Sequence, residues 1–340
     1  MSAPAGRVLL LGDIDVDTII PVPEYPVPGR DGLASAAHLR AGGGVVNSAV
    51  LLRRLGQPAA LLACTGQDLW ANSVLEPLRA LGVDLDGVVQ DPALTTGLTF
   101  IVVTPDGERT MFSYRGANVD FAPQHLRPAS FDGAALLHIA GYALMANPQR
   151  AAAWRAVELA RRWGVPVSLD TGLEPIIQAP DEFRRLLPEM DVCIVGLAEA
   201  GELFGAQTAA DALESLFAAG VSLAVVKMGA RGCALAGPDR QRCDIPAFRV
   251  EVVDTTGAGD AFCAGLLYGY LRGWDACLCG TLANACGALA AAVYGAGLEL
   301  PGRADLLRFL RAAAPLEGCL QESVPRLLAL LESEEMEVLP

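Results

Sequence analysis

Short, almost wholly apolar runs alternate along the chain with stretches whose apolar residues recur every three or four positions. The runs at 7–12 (RVLLLG), 59–65 (AALLACT), 135–140 (ALLHIA), 165–170 (VPVSLD), 191–195 (DVCIV) and 222–228 (SLAVVKM) predict strands. The segments 45–55, 68–81, 147–163 and 209–219 between them predict helices. Strands apolar on both faces are the mark of a parallel sheet covered on both sides. Strand–helix–strand repeats imply right-handed crossovers. The predicted fold is therefore α/β, a doubly wound, mostly parallel sheet flanked by helices.

Two stretches break this rhythm. Residues 13–40 are rich in Pro and Gly, and residues 96–116 read as a hairpin, with TGLTFIVVT and ERTMFSYRG joined by Pro105-Asp106-Gly107. They predict either a small β lid projecting from the main body or ordinary edge strands. From about residue 258 the pattern turns helical, over 258–272, 275–294 and 303–313, and 316–340 predicts one more amphipathic helix with an acidic tail. With no internal repeat and no long linker, residues 1–340 are expected to form one domain.

Composition narrows the chemistry. The chain has 340 residues, 52% of them hydrophobic, and a net charge of −14. It has no basic run, so nucleic acid is not an expected partner. It has neither a signal-peptide layout nor 18 consecutive uncharged apolar residues, so a cytoplasmic protein without membrane association is expected. The single lysine, Lys227, precedes Met228, which excludes a Gly-Lys-Ser/Thr phosphate loop. The three histidines, His38, His125 and His138, show no metal-ligand spacing. Nine cysteines, an odd number without a CxxC pair, are expected to be reduced and to serve as small apolar residues.

The segment Asp254-Thr255-Thr256-Gly257-Ala258-Gly259-Asp260-Ala261-Phe262 carries the most chemistry. Successive small residues let backbone N–H groups converge, and a helix starting there adds its positive end. An anion site then forms without lysine. Asp260, in the first helical turn, is placed to accept a proton from a hydroxyl lined up with a phosphoryl group. The amides of Gly257, Ala258 and Gly259 would stabilise the charge that builds on the transferred group.

DTTGAGDAFCAGLLYGYLRG resembles the C-terminal signature of the ribokinase-like (PfkB) carbohydrate kinases. Ala41-Gly42-Gly43-Gly44-Val45-Val46-Asn47-Ser48-Ala49 resembles their N-terminal signature, and Gly12-Asp13-Ile14-Asp15-Val16-Asp17 resembles the end of their first strand. The resemblance runs from about residue 7 to 313. It implies transfer of the ATP γ-phosphoryl to a hydroxyl of a sugar or sugar-like acceptor, with magnesium on the nucleotide, and places Asp254 and Thr256 where many members bind a monovalent cation such as K⁺. It implies Asp260 as the base, the Gly257–Gly259 backbone as the anion hole, and Asp15, Asp17, Gly42, Gly43 and Asn47 around the acceptor. On the nucleotide side it implies Lys227, the turn bounded by Gly229 and Gly232, Thr256, Gly257 and Gly259, with Asn284 at the adenine. Glu199 is the residue it implies for steering magnesium, although the Asn that normally stands three residues earlier is Gly196 here. Arg109 and Arg115, on the hairpin, are candidates for a phosphate or carboxylate of the acceptor. Lids of this type often pair between subunits, which implies a homodimer through the β lid. Free sugar, sugar phosphate, sugar acid and nucleoside all remain open as acceptors. The alternatives to a sugar kinase are a nucleoside kinase of the same fold and a ligand sensor that has kept the fold without catalysis.

Overall fold

The computed structural model describes residues 6–105 and 109–337, with the backbone alone for Arg109 and residues 334–337. In chain order the first half contains β1 (Val8–Leu11), β2 (Asp15–Pro21), β3 (His38–Gly42), α1 (Gly44–Arg54), β4 (Ala59–Gly66), α2 (Leu69–Ala80), β5 (Val88–Asp91), β6 (Gly97–Val103), β7 (Arg109–Tyr114), β8 (Leu136–Ala140), α3 (Gln149–Trp163) and β9 (Val167–Asp170). The second half contains α4 (Leu173–Gln178), α5 (Pro180–Leu186), β10 (Val192–Gly196), α6 (Leu197–Phe204), α7 (Ala209–Ala218), β11 (Leu223–Lys227), β12 (Cys233–Ala236), β13 (Arg242–Ile245), α8 (Ala258–Leu271), α9 (Ala276–Ala291), α10 (Arg303–Ala312) and α11 (Leu320–Glu337).

Nine strands form the main sheet in the order β13-β12-β11-β10-β9-β8-β1-β4-β5. The seven from β11 to β5 run parallel, and β12 and β13 add antiparallel pairs at one edge. The apolar runs are the reason. Val8 to Leu11 are all fully buried, with Val8 and Leu10 packed on one face of the sheet and Leu9 and Leu11 on the other. The α8 helix is buried from Ala261 through Gly269, as expected of a helix apolar on all sides.

The two irregular stretches make a second sheet of four strands, ordered β3-β2-β6-β7, rather than extra edge strands of the first. Its two faces alternate along the strands up to Tyr114. Asp15, Asp17, Thr99, Ile101, Met111 and Ser113 face a cleft between the two sheets, and Tyr114 also reaches it at the end of β7. Leu39, Thr18, Phe100 and Phe112, paired in one cross-strand row, lie on the opposite face.

The expectation of nine reduced cysteines is corrected. Cys243 on β13 and Cys277 on α9 are disulfide-bonded, with Cα atoms 5.9 Å apart. Spacing along the chain carried no sign of this pair, because it depends on how α9 packs across the sheet edge. The other seven cysteines are free, and six of them are buried. Among the described residues no helix is long and apolar enough to cross a membrane.

Candidate active site

The carboxyl ends of the parallel strands β1, β8, β9 and β11 open into the cleft, which has a volume of about 320 Å³. This is where a doubly wound sheet normally carries its chemistry, since the loops leaving the strand ends diverge there. The four-stranded sheet covers the cleft from the side, and the start of α8 closes its floor.

Asp260 sits in the first turn of α8, whose N-cap, Gly257, has φ 72°. That left-handed conformation favours glycine, and it turns the chain into the helix beside the cleft. The Asp260 carboxylate accepts a 2.7 Å hydrogen bond from Asn47 Nδ2 on α1, and its carbonyl accepts from Ser48 Oγ at 3.2 Å. Asn47 Oδ1 in turn accepts from the Gly297 amide at 2.7 Å, which fixes the orientation of the side-chain amide. A Cβ on Gly44 would lie 3.0 Å from Asp260 Oδ1, so the glycine keeps that carboxylate open to the cleft. Burial pushes the Asp260 carboxyl up to about 6; the Asn47 hydrogen bond pulls it down, the Asp170 charge raises it and Lys227 lowers it.

Gly257 and Gly259 line the cleft with Thr256. The side chain of Ala258 instead packs against the core, so only its backbone is available to an anion. Asp254 holds the approach to the helix: its carboxylate accepts from Thr256 N and Oγ1 at 2.9 and 2.7 Å and from the Gly295 amide at 3.1 Å. Lys227, at the end of β11, reaches the cleft with its ammonium 2.6 Å from Asp170 Oδ1. Burial disfavours the ammonium, but Asp170 together with Cys263 and Glu199 outweighs this, and the pKa of Lys227 rises.

On the side of the four-stranded sheet, Asp15 and Asp17 project from β2 into the cleft. Asn118 donates to Asp15 Oδ1 at 2.8 Å and is itself locked to Ile14 through both its amide oxygen and nitrogen. Asp17 lies against Gly42; a Cβ there would come within 2.2 Å of its carboxylate. Burial pushes Asp17 up to about 7, with the charges of Asp260 and Asp254 adding to it. Asp15 is also raised, by burial and by Asp13 and Asp17, against the opposing influence of Arg115 and Asn118.

The structure brings together Asp15, Asp17, Gly43, Asn47, Arg115, Lys227, Thr256, Gly257, Gly259 and Asp260 along one cleft. Gly42, with Asp17 packed on it, lies just behind. Other candidates sit elsewhere. Asn284, on α9, donates to the carbonyls of Ile245 and Pro246, both at 3.1 Å, and so anchors the end of β13. Gly229 and Gly232 flank the turn between β11 and β12, where the carbonyl of Ile245 stands 2.0 Å from the place a Gly232 Cβ would take. Arg109 begins β7 opposite Val103, at the far end of the hairpin from Arg115. Arg115 does reach the cleft, but its Nε and Nη2 are bound by Asp13 at 2.7 and 2.9 Å, and Nη2 also donates to Gln149 at 2.5 Å.

Sequence reasoning gave no role to Asp13, Asp170, Asn118 and Gln149, which the structure places at the cleft or against it. Asp170 had a usable signal: it is the polar residue that ends an apolar strand (VPVSLD), the position that faces the cleft in this class of sheet.

Glu199 caps α6. Its Oε2 accepts from Thr171 Oγ1 at 2.5 Å, Gly196 N at 2.7 Å and Gly172 N at 3.3 Å. Among the described residues no three His, Cys, Asp or Glu converge to hold a metal ion. Magnesium that accompanies a nucleotide binds through the phosphates and its own waters, and needs no such cluster.

An open α/β sheet with a carboxylate and a glycine-rich helix start at its strand ends suits phosphoryl transfer to a hydroxyl. The comparisons with known proteins agree. The family model described as "pfkB family carbohydrate kinase" matches residues 6–303, and the chain belongs to that family. It is 31% identical over 328 residues to fructokinase-1 of Zea mays, covering 91% of this chain and 99% of that protein. It is 31% identical over 317 residues to aminoimidazole riboside kinase of Salmonella typhimurium, covering 89% and 95%. Among solved structures, a putative ribokinase II from E. coli in complex with ATP and Mg²⁺ superposes with a TM-score of 0.81, at 25% identity, over 90% of this chain and 99% of that one. The protein is thus an ATP-dependent kinase that phosphorylates a sugar hydroxyl.

Proposed function

We propose that Asp260 is the general base of this kinase and that the acceptor hydroxyl docks between Asp260 and the carboxylates of Asp15 and Asp17. The observation that carries this reading is the Asp260 carboxylate itself. It is half-buried at the cleft floor and held at 2.7 Å by Asn47, and Gly44 leaves its other oxygen open. A base in that position takes the hydroxyl proton as the oxygen attacks the γ-phosphorus. The positive end of α8 and the backbone of Gly257 and Gly259 face the charge that develops on the transferred group. Magnesium, when bound with the nucleotide, neutralises the β- and γ-oxygens. Lys227 is held by Asp170 beside Gly259, where its ammonium faces the phosphoryl side of the cleft.

The residues 1–340 act in this reading as one kinase unit in the cytoplasm, where ATP is at hand, and the four-stranded sheet works as a lid that keeps water from competing as acceptor. The curated relatives include fructokinases, so fructose is the first acceptor to try. The lid's outer row of Leu39, Phe100 and Phe112 is 50%, 41% and 56% exposed, and supports a homodimer that buries this face.

The test is ADP release with fructose, ribose and nucleosides, for the wild type and for Asp260→Asn. The variant is expected to bind ATP normally and to lose at least about two orders of magnitude in kcat. Unchanged turnover would remove Asp260 from the role.

A further inference from the structure

The acceptor side of the cleft carries a charge pattern that bears on which sugars it takes. We infer that the acceptor is an uncharged polyol and that sugar phosphates and sugar acids are rejected; this rests on the kinase reading above. Among the described residues that line the cleft, the cationic side chains are Arg115 and Lys227. Both are already engaged. Arg115 meets Asp13 through two nitrogens at 2.7 and 2.9 Å, and Gln149 Nε2 donates to the same carboxylate at 2.8 Å. Lys227 is paired with Asp170 at 2.6 Å.

The balance decides the matter. Two cations are matched by Asp13 and Asp170, and Asp15, Asp17 and Asp260 then have no cationic partner in the cleft. An acceptor phosphate or carboxylate would face three carboxyl groups, and both cations of the cleft already hold other partners, so no free bidentate cation is there to receive it. Arg115 does not readily change partners. Asp13 is 6% exposed and Gln149 fully buried, so moving the guanidinium away would leave a buried carboxylate without its counter-charge. Hydroxyl groups suit the same surface well, because short carboxylates accept O–H donors and need no cation to do so. The aspartate–arginine–glutamine cluster therefore acts as a specificity element: it places a guanidinium near the acceptor and at the same time withholds its charge.

Calorimetric binding to the full chain in the presence of ADP and magnesium tests this, using D-fructose against D-fructose 6-phosphate and D-ribose against D-ribose 5-phosphate. The neutral member of at least one pair is expected to bind at least about 30-fold more tightly than its phosphate, roughly the size expected for an unpaired like charge. Asp13→Asn frees the guanidinium and is expected to narrow that gap at least about fivefold. Phosphates binding as well as or better than the sugars, or no binding by either member of either pair, overturns the inference. So does a gap that stays the same in a folded Asp13→Asn protein, since size rather than charge would then be the cause. If that variant does not fold, the wild-type pairs decide alone. ADP release measured in parallel separates the two levels: neutral sugars that bind without turnover count against the kinase mechanism and leave the charge selection standing.

Discussion

Asp17 shows what burial does to a single carboxylate here. Its side chain is 7% exposed and pressed against Gly42, and its pKa stands at about 7. An unfolded aspartate ionises near 3.9. Raised in the fold, this group contributes stability that is fully present below about pH 4 and is lost as pH climbs through about 7. Asp17→Asn cannot ionise and escapes that loss. Its stability relative to wild type should therefore rise between pH 5 and pH 8 by roughly 1–3 kcal/mol, as read from urea denaturation without acceptor. A difference that does not change with pH would mean that Asp17 ionises freely in the native protein. The retention of so costly a group beside Asp260 makes sense if it binds acceptor hydroxyls.

At the scale of elements, the small sheet divides its two faces between two tasks. The inner face supplies Asp15 and Asp17, and the outer face presents the row of Leu39, Thr18, Phe100 and Phe112. Placing a charge at the β7 end of that row, on its most exposed aromatic, should split the proposed dimer. Phe112→Asp is expected to sediment as a monomer at concentrations where the wild type sediments as a dimer, and a wild-type monomer would contradict the pairing. The strands and long helices were legible because period and length coincide: the runs at 7–12, 59–65 and 222–228 became β1, β4 and β11 with ends shifted by one residue at most. The strands β5 (VVQD) and β13 (RCDI) were not, since half the residues of each are polar and break the apolar run that marks the equally short β1, and β12 (CALA) is made mostly of small residues set between glycines. The helices α4, α5 and α6, of 6, 7 and 8 residues, fall below the length at which a helical period stands out and depend on tertiary packing to form. The site divides in the same way. Asp260 and its glycines were legible as one continuous segment. The Asp13–Arg115 and Asp13–Gln149 contacts join residues 102 and 136 apart in the chain, and only the topology brings them together.

Taken as a whole, the molecule converges on one carboxylate. Asn47 comes from α1, Asp170 and Lys227 from the ends of β9 and β11, and the small sheet shields the cleft from its open side. Together these neighbours hold Asp260 at about 6, high for an aspartate yet ionised at neutral pH, which suits the base proposed for it. The pH dependence of kcat/KM, measured with a neutral sugar at saturating ATP and magnesium, reads that carboxylate directly. For the wild type it should rise with unit slope up to a pKa near 6 and then level off, and the residual activity of Asp260→Asn should lack that limb. The same limb in both proteins would show that another group takes the proton.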